Sequence, residues 1–537
     1  MDLGRRPPQK TDYKQRMGSS MEQAQSNCVG MGHMILRRAE LTANAPALTY
    51  EDTTVTFVDF ARNITTIACL LRSMKVNRGD RVGYLGQNHP RLLEVLYACS
   101  LIGAIFVPLN YRLTPQELHF IANDAGLKLL FSDKSSMPLI ETHKNELPCQ
   151  ELIGIDFEAP CWLSLDTVIH SAAVGAAAEN FVAETVSTEE TALIMYTSGT
   201  TGRPKGAMLS HGNIFWNLLN AKFMEEIMRG TTLTCAPLFH IGGLNVTTHP
   251  SLVSGIHVVL HKVFEAKKVL QDIEKYRVST MFGAPTMFDM LTYESAFNET
   301  DFSSVIAFNC GAAPVPIPLI ETYLKKGVQF CQGYGLTETA PYVSVLSSED
   351  SVRKKGSAGR PLMFTKVCII DGAGSLLPAM ERGEICVLGP NVTQGYWGLE
   401  SATREAFDAD GWFLTGDIGY LDEDGYLYIC DRKKDMIISG GENVYPAEVE
   451  SALIALPGVK EVAVVGLPDD RWGEKVVAVF VSEEGVDIST ALVSEFLADK
   501  LARYKQPREL HFVDILPRNP AGKVQKFALK NALNSSV

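Results

Sequence analysis

From Ala47 onward the chain alternates between stretches with helical spacing of apolar residues and short β-branched runs. VTFVDFARNITTIACLLRSM, from Val55, precedes RVGYLGQN, and VLYACSLIGA, from Val95, precedes IFVPLN. The same rhythm returns in LKLLFSD, ETALIMYTS, TTLTCAPLF, STMFGAP and SSVIAFNCGAAP. Helical periods punctuated by short apolar runs predict strands joined through helices, hence an α/β sheet. Several runs stop where Gly or Pro begins, which is where open α/β sheets place ligand sites.

After about residue 357 the pattern shortens to strands and turns, GSAGRPLMFTKVCIIDGAGSLLPAMERGEICVLGP, which predicts a β-rich unit ending near DEDGYLYICDRKKD. DEDG itself lacks the later acidic ligands of a calcium loop and predicts a hairpin turn. Beyond it, Pro446 opens a helix with Val449, Ala452, Leu453 and Leu456 on one face. The strands VKEVAVVGL and KVVAVFV follow, then a helix with Ile488, Leu492, Val493, Phe496 and Leu501 at helical spacing. The expected organisation is a polar flexible tail over residues 1–26, a large N-terminal domain over 27–432 with its β-rich part at about 357–432, and a small α+β domain over 433–537. The charged join DRKKD (Asp431 to Asp435) reads either as a hinge or as an exposed turn.

A length of 537 residues with 46% hydrophobic and 21% charged residues fits a soluble globular protein of several packing units. The net charge of −13, without a long basic block, argues against nucleic acid as a partner. The apolar run ACSLIGAIFVPLN from Ala98 is too short to span a membrane and contains Pro108, so it predicts a buried helix end followed by a strand. The first 26 residues lack the apolar stretch of a secretory signal. Eleven cysteines without a CxxC pair suggest reduced thiols in a cytoplasmic protein rather than a zinc cluster or a disulfide framework.

The densest chemistry is YTSGTTGRPKG, residues 196–206. Thr197, Ser198, Thr200 and Thr201 supply hydroxyl donors, Gly199, Gly202 and Gly206 let backbone N–H groups bend toward an anion, and Lys205 adds a mobile positive charge. Pro204 before the lysine and Gly206 after it do not fit the Walker A pattern, so this is a phosphate loop of another kind. In GYGLTE, Tyr334 offers a face on which a base can stack, Thr337 a hydroxyl for phosphate, and Glu338 a hard carboxylate for Mg²⁺.

YTSGTTGRPKG resembles the signature loop of the adenylate-forming superfamily, which includes acyl-CoA synthetases, adenylation domains of peptide synthetases and luciferases. The resemblance extends in the family's order through PLFHIGG (237–243), GAAP (311–314), QGYGLTE (332–338), the segment from Gly411 to Glu450, and PRNPAGKVQK (517–526). It implies that Gly311, Ala312, Ala313 and Pro314 border the adenine and the carboxyl end of the acid, and that Gln332, Gly333, Tyr334 and Ile429 line the nucleotide. It further implies that Asp417 takes the ribose hydroxyls, that Arg432 lies near the ribose and phosphate, and that Lys523 offsets charge growing during attack on the α-phosphate. His240 would flank the acid's carboxyl group, with Gly283, Gly335 and Thr339 around the same pocket.

The implied reaction joins a small carboxylic acid to AMP from ATP with Mg²⁺, then passes the acyl group to an acceptor. Rotation about Lys434 would withdraw Lys523 and bring Gly440 and Gly441 toward the site to admit a thiol arm. CoA is the acceptor this reading favours; an amine, giving an amide, or a separate carrier protein's thiol stays open. A non-catalytic nucleotide-binding role is opposed by Thr200, Lys205, Glu338, Asp417, Arg432 and Lys523 being present together. Small residues alternating with Phe239, Phe282 and Phe288 suggest a compact aromatic or medium-chain acid. A homodimer is compatible with this reading.

Overall fold

The computed structural model describes residues 28–534 except 172–173, 175–176, 179, 198–202, 225–227, 312–314, 440–441, 470, 484, 487, 499 and 519–523. The chain divides into two compact units: 1–355 with 362–366 and 389–405, and 356–361 with 367–388 and 406–537. The β-rich segment expected at about 357–432 thus falls mainly into the same compact unit as the C-terminal residues.

In the first unit the strands are β1 (Pro46–Tyr50), β2 (Thr53–Thr56), β3 (Arg81–Leu85), β4 (Ile105–Leu109), β5 (Leu127–Asp133), β6 (Glu151–Ile155), β7 (Leu163–Ser164) and β8 (Thr191–Thr197). They continue as β9 (Lys205–Ser210), β10 (Thr231–Thr234), β11 (His257–Leu260), β12 (Val278–Gly283), β13 (Phe308–Cys310), β14 (Phe330–Gly335) and β15 (Tyr342–Leu346). One sheet runs β7-β6-β5-β3-β4-β8-β9 and another β15-β14-β13-β12-β10-β11-β1-β2. Pairing is parallel wherever helices carry the crossover and antiparallel at the β8–β9 and β14–β15 hairpins.

The helices form where the pattern placed them. Phe57–Ser73 buries Phe57, Phe60, Ile64, Ile67 and Leu71, and the Thr56 side chain caps its first turn by accepting from Asp59 N–H. The run from Ala98 resolves into the end of Pro90–Leu101 and the buried strand β4. The helix Met31–Leu41 packs with these two in one core, while Phe288, Phe308, Tyr323 and Phe330 centre a second.

In the second unit, Lys366–Ile370, Gly383–Leu388, Phe413–Leu421 and Leu427–Arg432 form one sheet in that order. DEDG turns between the last two: the Asp422 carboxylate accepts from the N–H groups of Asp424 and Tyr426, and Gly425 supplies a φ of 78°. The strands Val459–Asp469 and Gly473–Ser482 pair antiparallel, and the helix Pro446–Leu453 packs Val449 and Leu453 into their core. The expected helix through Leu501 stops at Leu497, and Leu492, placed on its apolar face by spacing, is 39% exposed. Among the described residues no helix is long and apolar enough to cross a membrane.

Candidate active site

In the first unit β10, β12, β13 and β14 are adjacent and parallel, so the loops at their C-terminal ends emerge side by side. The strand ends and those loops carry His240, Gly283, Gly311 and the QGYGLTE residues, the crevice position expected of an open α/β sheet. Gly311 N–H donates to Gly283 C=O at 3.3 Å, which brings two of the pocket glycines into contact. A Cβ on Gly311 would lie 3.2 Å from the Phe282 ring and one on Gly242 would lie 2.8 Å from it, so small residues on both sides make room for that ring. Phe288, by contrast, is fully buried among Phe308, Tyr323 and Phe330 and belongs to the core rather than to a pocket wall.

Thr197, at the end of β8, and Lys205, at the start of β9, pair antiparallel on either side of the phosphate-loop sequence, and the Thr197 hydroxyl donates to Lys205 C=O at 3.5 Å. Lys205 Nζ stands 5.2 Å above the Tyr396 ring, a cation–π contact. The hydroxyl of the same tyrosine donates to Glu338 Oε1 at 3.0 Å. Tyr396 therefore joins the phosphate lysine to the carboxylate expected to hold Mg²⁺. Its position is fixed by main-chain pairing of residues 395–397 with β9, including Trp397 N–H to Gly206 C=O at 2.8 Å. Thr393 adds a second tie, donating through N–H to Glu338 C=O at 2.7 Å and through its hydroxyl to Met208 C=O at 2.6 Å.

Thr337 and Glu338 sit on a single turn, Thr337–Thr339, between β14 and β15. The Thr339 hydroxyl accepts from Leu336 N–H at 2.9 Å and closes the turn on itself. Glu338 is 8% exposed, and a buried carboxylate oxygen suits a hard cation better than any softer metal. Gln332 is buried, and its Oε1 accepts from Val315 N–H at 3.3 Å.

The His240 ring lies 4.5 Å from that of Phe239, tilted by 48°, and Phe239 meets Tyr111 edge-on at 5.3 Å. Burial, reinforced by the Arg112 charge, lowers its pKa to about 4, so the imidazole is neutral at pH 7. Its Nε2 has no hydrogen-bond partner among the described residues. A neutral ring with one unmet nitrogen suits a binding role beside a carboxyl group; donating a proton at neutral pH does not suit it.

In the second unit Asp417 and Arg432 face each other across neighbouring strands, with Arg432 Nε 2.7 Å from Asp417 Oδ1. Asp417 is 4% exposed, so the guanidinium supplies the countercharge that a buried carboxylate needs. Ile429 lies on the same strand as Arg432 and pairs with Gly419. Lys434 is exposed in the turn that follows, while Lys433 beside it pairs with Glu384 at 2.7 Å. Asp431, at the start of that turn, accepts from Ala447 N–H in the first turn of the next helix at 2.7 Å.

Ser198, Gly199, Thr200, Thr201, Gly202, Ala312, Ala313, Pro314, Gly440, Gly441 and Lys523 lie outside the described residues. Sequence reasoning missed Tyr396. Its only signal was an aromatic pair in the otherwise small and polar segment NVTQGYWG, which does not name a partner 58 residues away.

Residues 35–397 match the family model described as AMP-binding enzyme, and residues 448–523 match that of the AMP-binding enzyme C-terminal domain. A feruloyl-CoA synthase from Amycolatopsis sp is 41% identical over 93% of this chain and 98% of its own length. An indoleacetate–CoA ligase from Aromatoleum aromaticum is 37% identical over 92% of this chain and 96% of its own. The o-succinylbenzoate CoA synthetase of Bacillus subtilis, solved with its acyl-adenylate intermediate, superposes with a TM-score of 0.82 at 35% identity, covering 93% of this chain and 97% of that one. The same enzyme solved with ATP and a magnesium ion gives a TM-score of 0.81 at 35% identity over 93% of this chain and 99% of that one.

Proposed function

The chain belongs to the AMP-binding enzyme family, and from that premise we propose that it activates an aromatic carboxylic acid with ATP and transfers the acyl group to CoA. It is an ATP-dependent acid–thiol ligase working through an acyl-adenylate. The observation that carries the reading is Tyr396, whose ring lies over Lys205 at the start of β9 and whose hydroxyl donates to Glu338 in the turn after β14. That pairing supports a reading in which Lys205 meets the outer phosphates and Glu338 would hold Mg²⁺, the charges that in-line displacement at the α-phosphate calls for.

In the first step the acid's carboxylate oxygen attacks the α-phosphorus and pyrophosphate leaves. Lys205 and Thr337 hold the phosphates, Glu338 would hold Mg²⁺, whose charge would offset that of the phosphates, and Lys523 offsets the charge developing on the reacting oxygens. Neutral His240 packs at the carboxyl end of the acid and carries no charge there at neutral pH. In the second step the CoA thiolate attacks the acyl carbon and AMP leaves. We place the change between steps at Lys434, with rotation withdrawing Lys523 and bringing Gly440 and Gly441 to admit the thiol arm. Asp417 and Arg432 hold the ribose throughout.

The aromatic class rests on the names of two relatives, feruloyl-CoA synthase and indoleacetate–CoA ligase, and on the small residues around the Phe282 ring. The free thiols support a reducing compartment, for which we propose the cytoplasm. Pyrophosphate exchange across a panel of hydroxycinnamic, arylacetic, benzoic and fatty acids tests the substrate class. Hydroxycinnamic or arylacetic acids should drive the fastest exchange; exchange driven only by fatty acids would reject it. Mass analysis of products formed with CoA against those formed with amines tests the acceptor.

A further inference from the structure

The helix His211–Lys222 carries Asn213, Asn217 and Asn220 at positions i, i+4 and i+7, one face of a helix, and all three are buried. A buried carboxamide left unpaired is costly, so three on one face need a reason. Asn217 donates to Asn245 C=O at 2.9 Å and accepts from Tyr342 N–H at 3.2 Å. Asn245, fully buried a few residues after His240, donates in turn to Ala340 C=O. Asn391, also fully buried, donates to Thr339 C=O at 2.7 Å and Tyr342 C=O at 2.8 Å. Its amide is oriented by the Thr365 hydroxyl, which donates to Asn391 Oδ1 at 3.0 Å.

Three carboxamides thus grip the carbonyls of residues 339, 340 and 342 and the N–H of 342. That turn follows Thr337 and Glu338 directly, and Ala340 in it adopts a φ of 66°, a left-handed conformation that costs an L-residue roughly 1–2 kcal/mol. The backbone does not choose this shape unaided. An octahedral Mg²⁺ ion tolerates little displacement of its carboxylate, so a turn fixed from outside is what the site needs.

We propose that Asn217, Asn245 and Asn391 are positioning residues that set Thr337 and Glu338 for the metal–nucleotide. This rests on the ligase reading above. An aspartate at position 245 or 391 keeps the shape but replaces the N–H donor to the turn with an oxygen facing a carbonyl, so the turn is released without a cavity.

The test is calorimetric titration of the full-length protein with ATP, in Mg²⁺ and in EDTA, for wild type, Asn245→Asp, Asn391→Asp and Tyr97→Phe. The last breaks a buried hydrogen bond to His249 at 3.0 Å rather than one to the turn, and controls for lost stability. The Mg²⁺-dependent gain in ATP affinity should fall about 10- to 100-fold in both aspartate variants, as for lost supports of metal ligands elsewhere. It should persist in Tyr97→Phe, and the KM for the acid should stay near wild type in all. Asparagine variants that melt earlier yet keep the full Mg²⁺-dependent gain would overturn the proposal, as would a parallel loss in Tyr97→Phe. Should one aspartate variant not fold, the other carries the same readout. Failure of the wild type itself to bind ATP with Mg²⁺ would instead sink the ligase reading, so the two failures are read from different proteins.

Discussion

Replacing Gly335 with alanine should abolish most adenylation while leaving the protein folded. A Cβ at this position would lie 1.7 Å from Pro341 O and 2.7 Å from Pro341 C, where ordinary contact begins at 3.4 Å. The shortfall to the oxygen is 3.4 − 1.7 = 1.7 Å, and the clash is with backbone, which has no rotamer to give way. Gly335 lies outside the left-handed region, so the effect is one of space and not of φ. Pro341 O is also the acceptor for Leu336 N–H at 3.1 Å, so pushing it away opens the loop that holds Thr337 and Glu338. Misplacing catalytic groups by about 1 Å can cost roughly 10²-fold in rate, or about 2.7 kcal/mol of barrier. Gly333→Ala is the matched control: its Cβ would meet the Tyr342 ring at 3.2 Å, a displacement of tenths of an ångström. ATP–pyrophosphate exchange at saturating acid, with thermal melting to confirm folding, should show the large loss for Gly335→Ala and a modest one for Gly333→Ala. A folded Gly335→Ala enzyme exchanging at the wild-type rate would refute the argument.

Lys523→Ala should slow acyl-AMP formation by about 10²- to 10³-fold while sparing turnover of supplied acyl-AMP; equal losses in both half-reactions would remove its assigned role. Lys434→Pro should impair thioester formation far more than adenylation, and an unchanged overall rate would dismiss the hinge. Tyr396→Phe deletes a hydrogen bond to a carboxylate, so exchange should fall about 10-fold or more with a higher Mg²⁺ requirement; wild-type Mg²⁺ dependence would contradict the bridge. Burial lowers His211 and His240 to about 4 and His249 to about 3, while the unfolded chain protonates near 6.5. The unfolded state therefore binds more protons as pH falls, and each histidine should withdraw roughly 2 kcal/mol of stability between pH 6.5 and 5. Melting temperatures flat across that range would show these rings to be solvated.

Much of the fold could be read from the sequence because local signals and the sheet agree. The run LIMYT before the phosphate-loop sequence lies in strand β8, and Lys205 after it opens its antiparallel partner β9. Asp417 and Arg432, both singled out through the family resemblance, turn out to be cross-strand neighbours, because DEDG sets the hairpin between them. What the sequence hid was long-range packing. Apolar alternation did not separate Phe282, lodged between glycines, from Phe288, sealed in the core. Tyr396 and Asn391 act on the turn after β14 from more than 50 residues downstream, and nothing local in NVTQGYWG reports that distance. The helix through Leu501 was overextended because spacing counts apolar residues without knowing that Leu492 faces water.

The most direct test of the central claim is product stoichiometry: purified protein, ATP with Mg²⁺, CoA and a hydroxycinnamic or arylacetic acid, with all products quantified by mass spectrometry. The account predicts one acyl-CoA, one AMP and one pyrophosphate per turnover, with acyl-AMP accumulating when CoA is withheld. ADP and phosphate in place of AMP and pyrophosphate, or an acyl-CoA formed with no acyl-AMP under any condition, would contradict it.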